Sequence, residues 1–317
     1  MNGAPILARL RAFAAGPGFK RALGWFEVLL GIAAAGYLAW RLSHIGWVEV
    51  LRALPTNPVF YLLLAPRLLA IPVSELVIYQ RLWARPLLGA WRAFLKKLAY
   101  NFGFLEYTGE LYFAGWAPRA LGLPARTILS SLRDVNILSA LIANVATALL
   151  FAVLFLTGQV RRLLQSAPDI APYFIIAGVF IFTITLAGLL FRKRLIGLET
   201  RDAAFVAWVH LVRVIAVVLL QAAQWWVAIP SASFGVWLVF LTTNMMLTRV
   251  PLLPSRELVF AGISLELLDL VDAPQARVAA TFASSSALMQ LGYMGLLVLT
   301  TVWRARKNAG SAPAQPT

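Results

Sequence analysis

The chain contains no cysteine. That absence excludes disulfides, thiolate nucleophiles, covalent haem attachment and cysteine-based zinc sites, and leaves the redox compartment open. Histidine is nearly missing too: His44 and His210 are the only two. Neither has a carboxylate or second histidine at ligand spacing, and Asp269 and Asp272 are too sparsely accompanied for a two-metal site, so no metal or other cofactor is expected. Gly-rich phosphate loops, G-x-S-x-G and H-E-x-x-H do not occur, which removes the usual hydrolase, protease and nucleotide-binding signatures. Long polar stretches are scarce, leaving no room for a separate soluble catalytic domain, so any chemistry takes place in or at a membrane.

What the chain has is apolar sequence. Hydrophobic residues make up 61%, charged residues 13%, and the mean hydropathy is +0.78, whereas soluble domains carry about 25% charged residues. The apolar residues come in blocks near the ~20 needed to cross ~30 Å of hydrocarbon as helix, without the two-residue alternation of barrel strands. The expectation is an all-α, polytopic membrane helical bundle with about 7 to 8 crossings and one or two broken or re-entrant segments. Spans are placed at 24–40, 58–79, 135–157, 172–191, 204–229, 232–250 and 277–303, with broken segments near 94–116 and 251–271. Residues 1–23 form a basic N-terminal segment, 24–303 a single transmembrane domain, and 304–317 a short basic tail expected to be disordered.

The net charge of +15 sits mostly between and at the ends of apolar blocks, as the positive-inside rule requires. Membrane topology and anionic head groups account for it, and nucleic acid is not an expected partner. Arg9, Arg11, Lys20 and Arg21 fall on the same side as Arg81, Arg85, Arg92, Lys96 and Lys97, which places the N-terminus in the cytoplasm. Arg119, Arg126 and Arg133 stay on that side only if 94–116 is re-entrant. Arg304, Arg306 and Lys307 require an even number of crossings, and the firm spans are odd in number, so 251–271 is left open between a crossing and a return. Arginine far outnumbers lysine and alanine is abundant, a composition pointing to a bacterial inner membrane.

Polar residues line several spans. His210, Arg213, Gln221 and Gln224 share an arc of about 80° in 204–229, and Arg67, Ser74 and Arg81 recur at heptad spacing, with Glu75 bordering them. Interhelical hydrogen bonding and a polar groove for a ligand are both compatible with such stripes; an Arg67–Glu75 pair serving the fold is one form of the first. Asn136, Asn144 and Thr147 favour structural hydrogen bonding.

The broken segments concentrate the rest. Asn101, Gly103, Glu106, Gly109 and Glu110 are interleaved with Tyr100, Tyr107 and Tyr112, and Asn244 and Arg249 precede Pro251, Pro254, Ser255, Arg256 and Glu257. Unwound backbone at membrane depth is tolerated where protein or water satisfies it, and helix ends there bind ions or head groups. The second segment reads equally as a plain turn between helices.

The run from Asn101 to Gly109-Glu110, then Leu123-Pro124-Ala125-Arg126 and Ser131-Leu132-Arg133-Asp134, with Pro254 and Glu257 near the C-terminus, resembles the flippase-like family that includes the transmembrane region of lysylphosphatidylglycerol synthases. Leu105-Glu106 occupy the family's usual Pro-Gly position, and the soluble aminoacyl-transferring domain is missing. The resemblance implies translocation of a lipid or lipid-linked glycan between leaflets, with Asn101, Tyr107, Glu110, Arg133, Asn244 and Glu257 at the substrate and Arg67 and Arg213 as head-group cations. Two other readings stay open: a head-group-modifying enzyme using Glu106 or Glu110 as acid or base, and a non-transporting scaffold for a lipid-biosynthesis enzyme.

Overall fold

The computed structural model describes residues 54–103, 107–166, 171–249 and 275–309, with the isolated positions 52 and 260. Every regular element among them is helical, and the fold is an all-α membrane bundle. In chain order the helices are α1 (Pro58–Leu62), α2 (Leu64–Leu82), α3 (Trp91–Gly103), α4 (Thr108–Leu121), α5 (Ala125–Leu156), α6 (Gln159–Ser166), α7 (Ala171–Leu190), α8 (Arg192–Leu195), α9 (Thr200–Ala228), α10 (Phe234–Leu247) and α11 (Gln275–Ala309). Among the described residues, five helical stretches are long and apolar enough to cross a membrane: Pro58–Leu82, Ala125–Leu156, Ala171–Leu190, Thr200–Ala228 and Ala280–Thr300. The expected spans 24–40 and 251–271 lie outside the described residues.

Four contacts gather one end of the bundle. Arg81 Nε meets Asp202 Oδ1 at 2.9 Å, Arg85 Nη1 donates to the Leu121 carbonyl, Trp83 Nε1 donates to Ser131 Oγ at 3.2 Å, and Gly197 N donates to Asp134 Oδ2 at 2.9 Å. The C-termini of α2 and α4 and the N-termini of α5 and α9 therefore share one face. At the other end, Gln224 Nε2 donates to the Phe60 carbonyl, Arg277 Nη2 to the Ala228 carbonyl, and Gly235 lies against Gln159. Each end has its own apolar core. Tyr79, Trp83, Phe94, Phe113 and Ile128 fill the first, and Phe60, Trp225, Trp237 and Phe240 the second.

The expected broken segment 94–116 forms a helical hairpin. α3 and α4 have 13 and 14 residues, about 20 Å each, too short for a ~30 Å core. The hairpin starts after Arg85 and ends at Leu121 beside it, so it enters and leaves by one face, as a re-entrant segment does. α4 stops where Gly122 adopts φ +64° and its N–H bonds the Pro118 carbonyl, a left-handed cap that suits glycine. α10 is likewise short, with 14 residues. It starts at the opposite face, and α11 starts there too, so the stretch from Phe234 to Gln275 begins and ends on one side. α5 starts ten residues before the expected 135, because its polar first turns, Arg126 to Asp134, precede the apolar window and follow Pro124 at the N-cap.

Candidate functional site

Close approach of the two hairpin helices depends on Gly109. A Cβ there would lie 2.2 Å from the Lys97 carbonyl and 2.7 Å from Asn101 Oδ1. The same Asn101 Oδ1 accepts the Gly109 N–H at 2.7 Å, and Thr108 Oγ1 donates to the Tyr100 carbonyl at 2.9 Å. The first satisfies an N–H that the start of α4 leaves unpaired and the second a carbonyl in the last turn of α3. Tyr107, the N-cap of α4, has φ +70° and is 64% exposed.

The close approach presents Lys97 and Glu110 to α2. Lys97 is 1% exposed, and its Nζ lies 2.5 Å from Glu75 Oε1 and 3.3 Å from Glu110 Oε1. Aromatic rings wall the ammonium, with Tyr79 and Phe113 centroids at 6.0 and 5.8 Å. Tyr79 Oη and Glu110 Oε2 are buried and have no hydrogen-bond partner among the described residues. From α9, His210 is buried within electrostatic reach of Lys97 and Arg213, and Arg213 lies within reach of Glu75 while Nη2 donates to Ser139 Oγ at 3.0 Å. Two carboxylates and two cations from α2, α3, α4 and α9 thus form one enclosed cluster.

Arg67 lies eight residues before Glu75 on α2, about 12 Å along the axis, with Pro72 between them. It is 8% exposed, and its Nη1 donates to Gln224 Oε1 and to Ser285 Oγ at 3.1 Å. Ser285 Oγ also donates to Gln224 Oε1 at 3.0 Å. Between this level and the ionic cluster is the hairpin tip: Phe102 stacks on Tyr293 with centroids 4.8 Å apart, and Gln290 Nε2 donates to the Phe102 carbonyl.

The expected site residues separate into groups. Asn101, Glu110, Arg213 and Arg67 line the interior at two levels. Arg133 does not join them: its side chain is 53% exposed and pairs with Asp134 at the basic end of α5, because the helix starts early enough to place it there. Asn244 is half-buried on α10, and Glu257 and Glu106 lie outside the described residues. An Arg67–Glu75 pair does not form, since one helix face carries both but Glu75 turns to α3 and Arg67 to α9 and α11. Lys96 and Lys97, read from sequence as face-marking charges, are both buried in α3. Sequence reasoning missed Lys97 because its partners stand 22 and 13 positions away, beyond any helical periodicity. Among the described residues no group of three His, Asp or Glu is placed to hold a metal. Comparison of the chain with family models, curated proteins and solved structures finds no match.

Proposed function

We propose that this protein carries the head group of a membrane lipid, or of a lipid-linked glycan, between the leaflets of a bacterial inner membrane, in the manner of the flippase-like family it resembles. The observation that carries the reading is the enclosed Lys97–Glu75–Glu110 cluster at the inner end of a half-length hairpin. A charge at the bilayer centre costs roughly 2.5 to 3.5 kcal/mol even on a lenient scale. A bundle that needed only to be stable would pack such positions with apolar side chains at no loss. Charged and unpartnered polar groups at two depths, with Phe102 and Tyr293 between them, supply successive stations for a polar head group moving through a hydrocarbon layer. Half-span hairpins are elements that line such paths in transporters.

Orientation follows from charge. The end that carries Arg81, Arg85, Arg119, Arg126, Arg192, Lys193 and Arg194 is cytoplasmic by the positive-inside rule, and an N-terminus one crossing before Pro58 is on that side as well. The test is flux. Purified protein in liposomes should accelerate exchange of fluorescent or isotopically labelled lipids between leaflets, and Glu110→Gln should slow it at least about tenfold, equivalent to 1.4 kcal/mol in the barrier, while remaining folded. Equal rates in protein-free, wild-type and variant liposomes, across phospholipids and polyprenyl-phosphate-linked sugars, would sink the proposal.

A further inference from the structure

Arg67 differs from Lys97, Arg81, Arg133 and Arg213 in what faces it. Lys97 has two carboxylates, Arg81 has Asp202 and Arg133 has Asp134, all within ion-pair distance, and Arg213 is within reach of Glu75. Among the described residues Arg67 has no carboxylate at that distance; its hydrogen-bond partners are the neutral Gln224 and Ser285. Both bonds use Nη1. Nε is buried, and neither it nor Nη2 bonds a described residue. The Nε–Nη2 edge of a guanidinium is the fork that grips two oxygens of one phosphate. Here that fork is preset, because Gln224 is held in turn by the Phe60 carbonyl at 3.1 Å and Ser285 fixes its other side.

We infer that Arg67 is a phosphate-binding site and that the lipid it receives is anionic: a phosphate-linked lipid whose head group carries no ammonium. The inference rests on the head-group reading above and names its substrate class. Charge balance selects the class. A phosphodiester neutralises Arg67 one for one, whereas among the described residues the nearest carboxylate on α2, Glu75, lies about 12 Å along the helix and, with Glu110, is already engaged by Lys97. A zwitterionic head group would bring a cation to a place where no described residue supplies an anion for it. Tyr293, within electrostatic reach of Arg67, adds a hydroxyl on the same side as the hairpin tip.

The experiment uses the full chain in nanodiscs of mixed phosphatidylcholine, phosphatidylethanolamine, phosphatidylglycerol and an uncharged glycolipid, with the retained lipids counted by native mass spectrometry. Wild type should enrich phosphatidylglycerol over the bulk ratio, Arg67→Lys should keep part of that enrichment, and Arg67→Gln should fall to the bulk ratio. Gln224→Glu supplies the decisive arm, because it puts a carboxylate on Arg67 with little change of shape, at the loss of the bond to the Phe60 carbonyl: the protein should stay folded while the enrichment disappears. Ser285→Asp serves the same end from α11. Enrichment that survives Gln224→Glu or Arg67→Gln, or a preference for phosphatidylethanolamine, overturns the inference. Inorganic phosphate is added to discs of phosphatidylcholine alone; stabilisation of wild type but not of Gln224→Glu, without lipid enrichment, overturns the lipid assignment in favour of a soluble anion. Flux on the same samples separates the two proposals. Selective binding without flux removes transport and leaves the site, and flux without Arg67-dependent selectivity removes the site alone.

Discussion

Lys97 holds two carboxylates in a space with almost no solvent, so its charge is the condition for theirs. Removing one partner of a buried ionic group strands the others, at a cost of about 3 to 5 kcal/mol. Lys97→Met should therefore lower the unfolding midpoint in detergent sharply, and the triple variant Lys97→Met, Glu75→Gln, Glu110→Gln should recover most of it. A single variant as stable as wild type would mean that the carboxylates are not dependent on the ammonium. Gly109 is a second sensitive position, for a steric reason. Its would-be Cβ meets backbone, the Lys97 carbonyl, as well as a side chain, so Gly109→Ala should cost about 1 to 3 kcal/mol as overpacking does and should reduce flux by spreading the hairpin. Neither effect is legible in the sequence: Lys97 reads as one of a pair of topology-marking lysines, and Gly109 as one of several glycines in a broken segment.

At the scale of elements, the hairpin depends on a cap supplied from the other helix. Asn101, near the end of α3, bonds the Gly109 N–H in the first turn of α4, and Asn101→Ala should cost about 1 kcal/mol, the usual worth of a helix cap. Hydrogen exchange read by mass spectrometry should show peptides covering Thr108 to Phe113 exchanging faster while α5 and α9 are unaffected; uniform protection would show that the cap does not hold the tip. That two short helices stand here was legible, because glycines and carboxylates interrupt an apolar block that Arg119 and Arg126 require to return to its starting face. Helix limits were less so. α5 begins at Ala125, in polar sequence, because Pro124 starts a helix whose first turns bind Trp83 and Gly197 instead of lipid.

Across the whole molecule, α2, the first hairpin and α5 run from the opposite face to the basic face and back. α9 runs from the basic face to the opposite one, and α11 starts at that opposite face. α2 and α9 are antiparallel, with Arg67 opposite Gln224 and Arg81 opposite Asp202. α11 passes Ala228 at the opposite face and then the Phe102 carbonyl, so it runs toward the basic face, the side on which Arg304, Arg306 and Lys307 were expected. The cysteine-free chain makes the orientation easy to test by single-cysteine labelling in intact cells. Cysteines at the exposed Arg119 and Lys193 should react only with membrane-permeant maleimide, and cysteines at the exposed Thr56 and Ser231 with impermeant reagent as well. The reverse pattern would invert the orientation, and mixed reactivity at Arg119 and Lys193 would contradict the re-entrant path.

Local composition was enough to identify the class of the molecule, five of its spanning stretches and the first broken segment, because the cost of placing polar groups in hydrocarbon acts on every residue independently. Tertiary structure alone decided which charges meet. The face of α2 that carries both Arg67 and Glu75 does not say that one turns to Gln224 and Ser285 and the other to Lys97, because an ion pair is set by the packing of helices far apart in the chain. For the same reason Arg133, expected at the substrate, lies at the surface with Asp134, while Arg67 lies inside with a fork of donors that no described residue bonds.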